Sequence, residues 1–153
     1  GSLENRNRFL REGLEARCSV DGADRVGYRI CPRFPFNDAK DPDPTETTTQ
    51  LLKDIAPMGL AYLHIMRAGT IDTISLANDL FPGPIMVNGG YNRGSAEKAI
   101  NQKGASAVSF ATAYIANPDL VSRLENNHPL AEPDQASYYT FTEAGYCDYP
   151  THQ

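Results

Sequence analysis

Short apolar runs alternate with segments of helical periodicity along most of the chain. The runs predict four β-strands, at Arg25–Ile30, Leu60–Ile65, Pro84–Val87 and Ala107–Phe110. The segments around them predict helices, because their apolar residues recur at three- and four-residue spacing. Residues suited to helix N-caps stand at the starts of these helices: Ser2, Thr45, Ser95 and Asn117. An opening helix followed by four strand–helix units predicts an α/β domain with a parallel sheet and right-handed crossovers.

Two parallel α/β folds fit this order of elements: an open doubly wound sheet, or part of a (β/α)8 barrel. The strand segments are apolar throughout, which is typical of strands covered on both faces. No G-x-G-x-x-G follows the first strand, which disfavours a dinucleotide-binding sheet. Periodicity alone leaves the choice open.

Composition and charge exclude several classes of partner. The 153 residues carry 14 Lys and Arg against 19 Asp and Glu, a net charge of −5, with no basic cluster. We therefore expect no nucleic-acid binding. The longest apolar stretches are far shorter than the roughly 20 residues that span a bilayer, so no membrane partner is expected. No targeting segment is evident, which favours a cytoplasmic location. Three dispersed cysteines without a C-x-x-C motif predict neither a disulfide framework nor a metal site.

Ligands of parallel α/β folds bind at the carboxyl ends of the strands, so residues there are the candidates for chemistry. Gly89 and Gly90 follow the third strand, where backbone amides without a Cβ can approach an anion; a plain tight turn is the alternative. Arg29 lies within an apolar strand, either in a structural ion pair or aimed at an electron-rich ligand. His64 ends the second strand, as a satisfied core histidine or a ligand contact.

The segment 126–153 differs from residues 1–125. It is rich in Pro, Asp and Glu and holds five aromatic residues within twelve positions, namely Tyr138, Tyr139, Phe141, Tyr146 and Tyr149. Because aromatic side chains bury large areas, we expect an ordered extension packed on the α/β domain rather than a solvated tail.

The motifs in these segments resemble, in order and over nearly the whole chain, those of the old yellow enzyme family, which includes 12-oxophytodienoate reductases and bacterial ene-reductases. They are Ser2–Arg6 with Arg8–Phe9, Asp24–Gly27 with Arg29 and Pro32, Gly59–His64, Asn88–Tyr91, Ile115–Leu120, and Gly145–Tyr146 with Asp148–Pro150. The resemblance implies the C-terminal half, four βα units, of a TIM (β/α)8 barrel, with strands like the family's fifth to eighth.

The same resemblance implies FMN, reduced by NAD(P)H, and hydride transfer to an activated alkene. It implies that Arg29 contacts the flavin pyrimidine edge and that Gly89 and Gly90 lie at the FMN phosphate. It also implies that Tyr139 borders the substrate pocket.

Two departures from the family pattern shape the expected function. The family's first four strands, with its proton donor and carbonyl-binding residues, are absent from this sequence, so no residue here is assigned a catalytic role. The family's Phe-Gly-Arg is replaced by Phe110, Ala111 and Thr112, which removes the phosphate-clamping arginine. We therefore expect weak or no FMN binding and no activity of the chain alone. Self-association or a complementary N-terminal half is expected to complete it, and a flavin-free half barrel acting as a binding or assembly module is the alternative.

Overall fold

The computed structural model describes residues 1–32, 38, 40–67 and 71–152, which form two compact units, Gly1–Ser109 and Phe110–Gln153. The helices and strands are, in chain order, α1 Leu3–Asp21, β1 Gly27–Ile30, α2 Pro44–Ile55, β2 Tyr62–Met66, α3 Thr73–Leu80, β3 Ile85–Asn88, α4 Arg93–Lys103, β4 Ala107–Ser109, α5 Thr112–Ala116 and α6 Leu120–Asn126. No helix in these described ranges is long and apolar enough to cross a membrane.

All four described strands form one parallel sheet in the order β1-β2-β3-β4. Arg29 of β1 pairs with His64 of β2, and His64 pairs with Met86 of β3. Asn88, the last residue of β3, pairs with Ser109, the last of β4. Each strand follows its neighbour in sequence and lies beside it, with a helix in each connection, as the βα pattern predicts.

The core lies between one face of this sheet and the helices. Leu63, Ile65 and Val87 point from the strands into it, and Leu52 and Ile55 meet them from α2; all five are fully buried. Residues at the alternate strand positions are half-buried or exposed. The expectation that the strands are covered on both faces is therefore wrong for the described residues. The second face, here called the open face, is covered by none of the described helices.

Hydrogen bonds at the starts of α1, α2 and α4 show which residue caps each helix, and they correct two predicted caps. Ser2 caps α1 as predicted, its hydroxyl accepting from the Asn5 amide. Asp43 rather than Thr45 caps α2, which places Pro44 in the first helical turn. Asn92 caps α4 and forms a capping box in which the predicted cap, Ser95, is the third helical residue.

The second unit begins with α5, a short helix that the sequence pattern did not predict. α6 begins at Leu120, with Asp119 at its N-cap position, where the sequence predicted a start at Asn117. Asn117 is instead buried, and its side chain donates to the carbonyl of Ala131 and accepts from the amide of the same residue. Asn117 thus fastens the following segment to the end of α5.

Candidate functional site

The carboxyl ends of β1 to β4 bring a cation and three polar side chains together on the open face. Arg29 is exposed there, although it lies within an apolar strand segment. Its guanidinium donates to Cys31 Sγ at 2.7 Å and to Asn88 Oδ1 at 3.5 Å. No carboxylate in the described part of the chain forms an ion pair with it. The positive charge is therefore available to a ligand.

Asn88 connects Arg29 to the last strand. Its Nδ2 donates to the Ser109 carbonyl at 2.9 Å and lies 3.1 Å from Ser109 Oγ. Ser109 Oγ lies 2.9 Å from His64 Nε2. His64 is therefore a bonded member of a polar chain that runs Arg29, Asn88, Ser109, His64 across the ends of the strands.

The electrostatics of His64 follow from this position. Burial, and then the positive charge of Arg29, hold the pKa of His64 below its ordinary value. His64 is consequently neutral near pH 7. Asn88 Nδ2 is only a donor, so the acceptor available to the Ser109 hydroxyl in this chain of bonds is His64 Nε2, and the neutral ring then carries its proton on Nδ1.

The two glycines predicted at a phosphate form the turn between β3 and α4. Gly89 has φ +108° and Gly90 has φ +65°, a backbone that other residues adopt only with strain. The Gly90 amide donates to no backbone acceptor in the described part of the chain, and Gly90 is exposed. Arg67 flanks the turn, and its guanidinium carbon lies 5.0 Å from the centre of the Tyr91 ring. An accessible amide beside a second cation suits an anionic oxygen.

The remaining predicted residues lie in the second unit. Ala111 and Thr112 are exposed at the start of α5, where the Ala111 carbonyl accepts from the amides of Tyr114 and Ile115. Tyr139 is 85% exposed and packs edge to face against Tyr138. The structure thus brings Arg29 close to the glycine turn through Asn88. The roles implied for Ala111, Thr112 and Tyr139 stay predictions, as does the packing of 126–153 on the barrel.

The sequence placed Asn88 at a strand end, in the motif Asn88–Tyr91, but assigned its side chain no role, and it missed Ser109. The signal was present in the spacing, because Asn88 directly precedes the two glycines and Ser109 ends the neighbouring strand. Within the described residues, no group of three His, Cys, Asp or Glu side chains is arranged to hold a metal ion.

Four parallel strands in sequential order, with a helix in each connection, fit half of a (β/α)8 barrel. The sequence profile of the NADH:flavin oxidoreductase / NADH oxidase family matches residues 1–131. The chain belongs to this family, whose members use FMN and NADH or NADPH.

Relatives of known name support the same assignment. A probable flavin mononucleotide-dependent alkene reductase of Leishmania infantum is 39% identical over 98% of the chain, and a 12-oxophytodienoate reductase-like protein of Solanum lycopersicum is 34% identical over 97%. The old yellow enzyme of Trypanosoma cruzi superposes with a TM-score of 0.92 at 34% identity over 99% of the chain. Morphinone reductase in complex with tetrahydroNAD superposes with a TM-score of 0.90 at 35% identity over 100% of the chain.

The chain spans 42% of the length of both curated relatives, and 42% and 43% of the two solved structures. These structures are old yellow enzyme barrels, so the match confirms the predicted half barrel and its assignment to the old yellow enzymes.

Proposed function

We propose that this chain supplies the C-terminal, FMN-facing half of an NAD(P)H-driven reductase of activated alkenes. The observation that carries the proposal is Arg29, an exposed cation without a carboxylate partner among the described residues, at the ligand end of the strands and close to the Gly89–Gly90 turn. When bound, FMN supplies the hydride that such a reduction requires.

The described residues suit two parts of FMN, the pyrimidine edge of the flavin and the phosphate. Arg29 offers planar donors to the electron-rich pyrimidine edge of the flavin. The turn at Gly89 and Gly90, beside Arg67, offers a backbone amide and a positive charge to the phosphate. Thr112 stands where the family pattern has an arginine, so the sequence lacks a charged phosphate donor that the family pattern contains. We therefore propose that FMN binds weakly to the chain alone.

The open face also requires a partner in this proposal. Half-buried polar and apolar side chains, including His64, Met66, Met86 and Asn88, line a sheet face that no described helix covers. In the family these positions face the barrel interior, so a complementary N-terminal half is the partner that completes them. A second copy of the chain is the alternative. We propose that the 153 residues alone reduce no alkene and that the completed protein is cytoplasmic.

Reconstitution tests this function directly. The chain is titrated with FMN, alone and mixed with the N-terminal half of the Leishmania infantum relative, and oxidation of NADPH by a cyclohexenone is then followed. We expect weak FMN binding alone, and tighter binding with turnover after mixing. Turnover by the chain alone would contradict the proposed inactivity.

A flavin-free assembly module is the second candidate function, and Thr112 in place of the family's arginine favours it. In this case the mixture forms a complex by light scattering but shows no flavin absorbance and no turnover. A monomeric chain that neither binds FMN nor joins the N-terminal half would contradict both functions.

A further inference from the structure

Asn88 occupies the position where two parts of the candidate flavin site meet. It ends β3 directly before the Gly89–Gly90 turn, and its side chain lies on the open face with Arg29. Its backbone carbonyl is already used, since it accepts from the Arg67 amide at 2.8 Å. The side-chain amide is therefore the part of Asn88 that can organise the open face.

The two ends of this amide have different tasks. Nδ2 donates to the Ser109 carbonyl at 2.9 Å, which fixes the side chain against the neighbouring strand. Oδ1 then faces Arg29 and accepts from its guanidinium at 3.5 Å. Among the described residues, Arg29 also donates to Cys31 Sγ at 2.7 Å and to Met66 Sδ at 3.9 Å, and sulfur is a weak acceptor. Asn88 thus supplies the oxygen contact that orients this exposed cation.

Ser109 and His64 extend the hydrogen-bonded chain that holds the side chain of Asn88. The Ser109 hydroxyl is 3.1 Å from Asn88 Nδ2 and 2.9 Å from His64 Nε2, so it is held between them. Burial, and then the charge of Arg29, hold the pKa of His64 below its ordinary value, so the neutral ring can accept from that hydroxyl. A protonated His64 would add a second positive charge to the same cluster.

We infer that Asn88 is a positioning residue: anchored on Ser109, whose hydroxyl contacts His64, it holds the Arg29 guanidinium in one orientation for the electron-rich edge of a bound ring. The inference rests on the proposed function only for the identity of that ring as flavin. The arrangement of Asn88, Arg29 and His64 is a property of the chain without FMN, so it can be measured separately.

Asn88→Ala tests the role, with Asn78→Ala as the matched control. Asn78 also donates its side-chain amide to a backbone carbonyl, that of Lys103 at 2.6 Å, but on α3 away from the open face. NMR of the full chain without FMN records the mobility of the Arg29 side chain and the titration of His64. We expect Asn88→Ala to increase Arg29 mobility and to raise the pKa of His64 towards its ordinary value, because Arg29 moves away. Asn78→Ala should change neither.

FMN titration of the same variants is the second measurement. Losing one hydrogen bond to a charged group should raise the FMN dissociation constant about tenfold in Asn88→Ala, and Asn78→Ala should stay within about twofold of the parent. If the parent binds no FMN, the proposed function fails while the NMR result still decides the role of Asn88. If Asn88→Ala does not fold, the parent is examined for scalar coupling across the Asn88 Nδ2–Ser109 carbonyl hydrogen bond. Absence of that coupling, or unchanged Arg29 mobility and His64 titration in a folded Asn88→Ala, overturns the inference.

Discussion

Replacing Arg123 should release the C-terminal segment from α6. Arg123 is 6% exposed, and its guanidinium donates to Asp119 Oδ1 at 2.7 Å and to the carbonyls of Pro129 and Pro150, each at 2.9 Å. Asp119 also accepts from the His152 amide at 2.8 Å. One buried side chain therefore closes a loop between residues 129 and 150.

The magnitude follows from these three bonds. Arg123→Met keeps most of the aliphatic stem but removes every donor. The carbonyls of Pro129 and Pro150 and the carboxylate of Asp119 then lose their hydrogen bonds to residue 123. Breaking a buried charged pair by removing one partner typically costs about 3–5 kcal/mol. We expect Arg123→Met to lower the free energy of unfolding by about 3 kcal/mol, the low end of this range, because both carbonyls can turn towards water once the segment loosens. Arg123→Lys should lose about half of this, since one ammonium cannot reach the three acceptors in a fork.

Urea denaturation and limited proteolysis of the segment 129–150 measure the two consequences. Arg17→Ala is the matched control, because Arg17 also pairs with a carboxylate four residues away, at 2.7 Å, but is mostly exposed. Arg17→Ala should change the free energy of unfolding by less than about 1 kcal/mol and leave the rate of proteolysis unchanged. If Arg123→Met is no more destabilising and no more sensitive to protease than Arg17→Ala, the network does not hold the segment and the reasoning is wrong.

Three further predictions address the site and the sheet. Ala111→Gly combined with Thr112→Arg restores the family's Phe-Gly-Arg sequence and should tighten FMN binding at least about tenfold by calorimetry, because arginine adds charged donors for a phosphate; unchanged affinity would show that Thr112 does not limit FMN binding. The pKa of His64 is lower in the folded chain than in the unfolded chain, so the unfolded chain binds a proton on His64 more readily. The free energy of unfolding should therefore fall as the pH drops below about 6.5, the ordinary pKa of histidine. His64→Gln should remove this part of the pH dependence in urea titrations. Gly27→Ala places a Cβ against the ring of Tyr62 and should lower the free energy of unfolding by about 1–3 kcal/mol; a stability equal to the parent's would contradict this packing.

The strands could be predicted from the sequence because their apolar residues are consecutive, but their two faces could not. Tyr62 and Met66 count as apolar in a composition-based interpretation, and they mask the alternation with Leu63 and Ile65 that places one set on the open face. The sequence pattern therefore resembled that of a strand buried on both faces. The half barrel explains the difference, because its interior face is closed by strands that these residues do not include.

The helix starts show a different limit. The sequence offers two capable caps at the start of α2, Asp43 and Thr45, and two at α4, Asn92 and Ser95. The hydrogen bonds that select Asp43 and Asn92 depend on the non-helical backbone of these two residues, which the sequence pattern does not specify. Arg123 was missed because periodicity assigns inward positions to apolar residues. Its burial depends on carbonyls that come from six and twenty-seven residues away in sequence.

The candidate site depends on strand register more than on any single residue type. Arg29 pairs with His64, and Asn88 with Ser109, so the four side chains share the open face. A slip of one residue between β3 and β4 would turn either Asn88 or Ser109 towards the helices, since successive side chains point to opposite faces. The buried contacts of Ile85 and Val87 oppose such a slip, because it would bring both onto the open face. The apolar core therefore fixes the positions of the polar chain, and substitutions that loosen the core should disturb the orientation of Arg29 before they unfold the sheet.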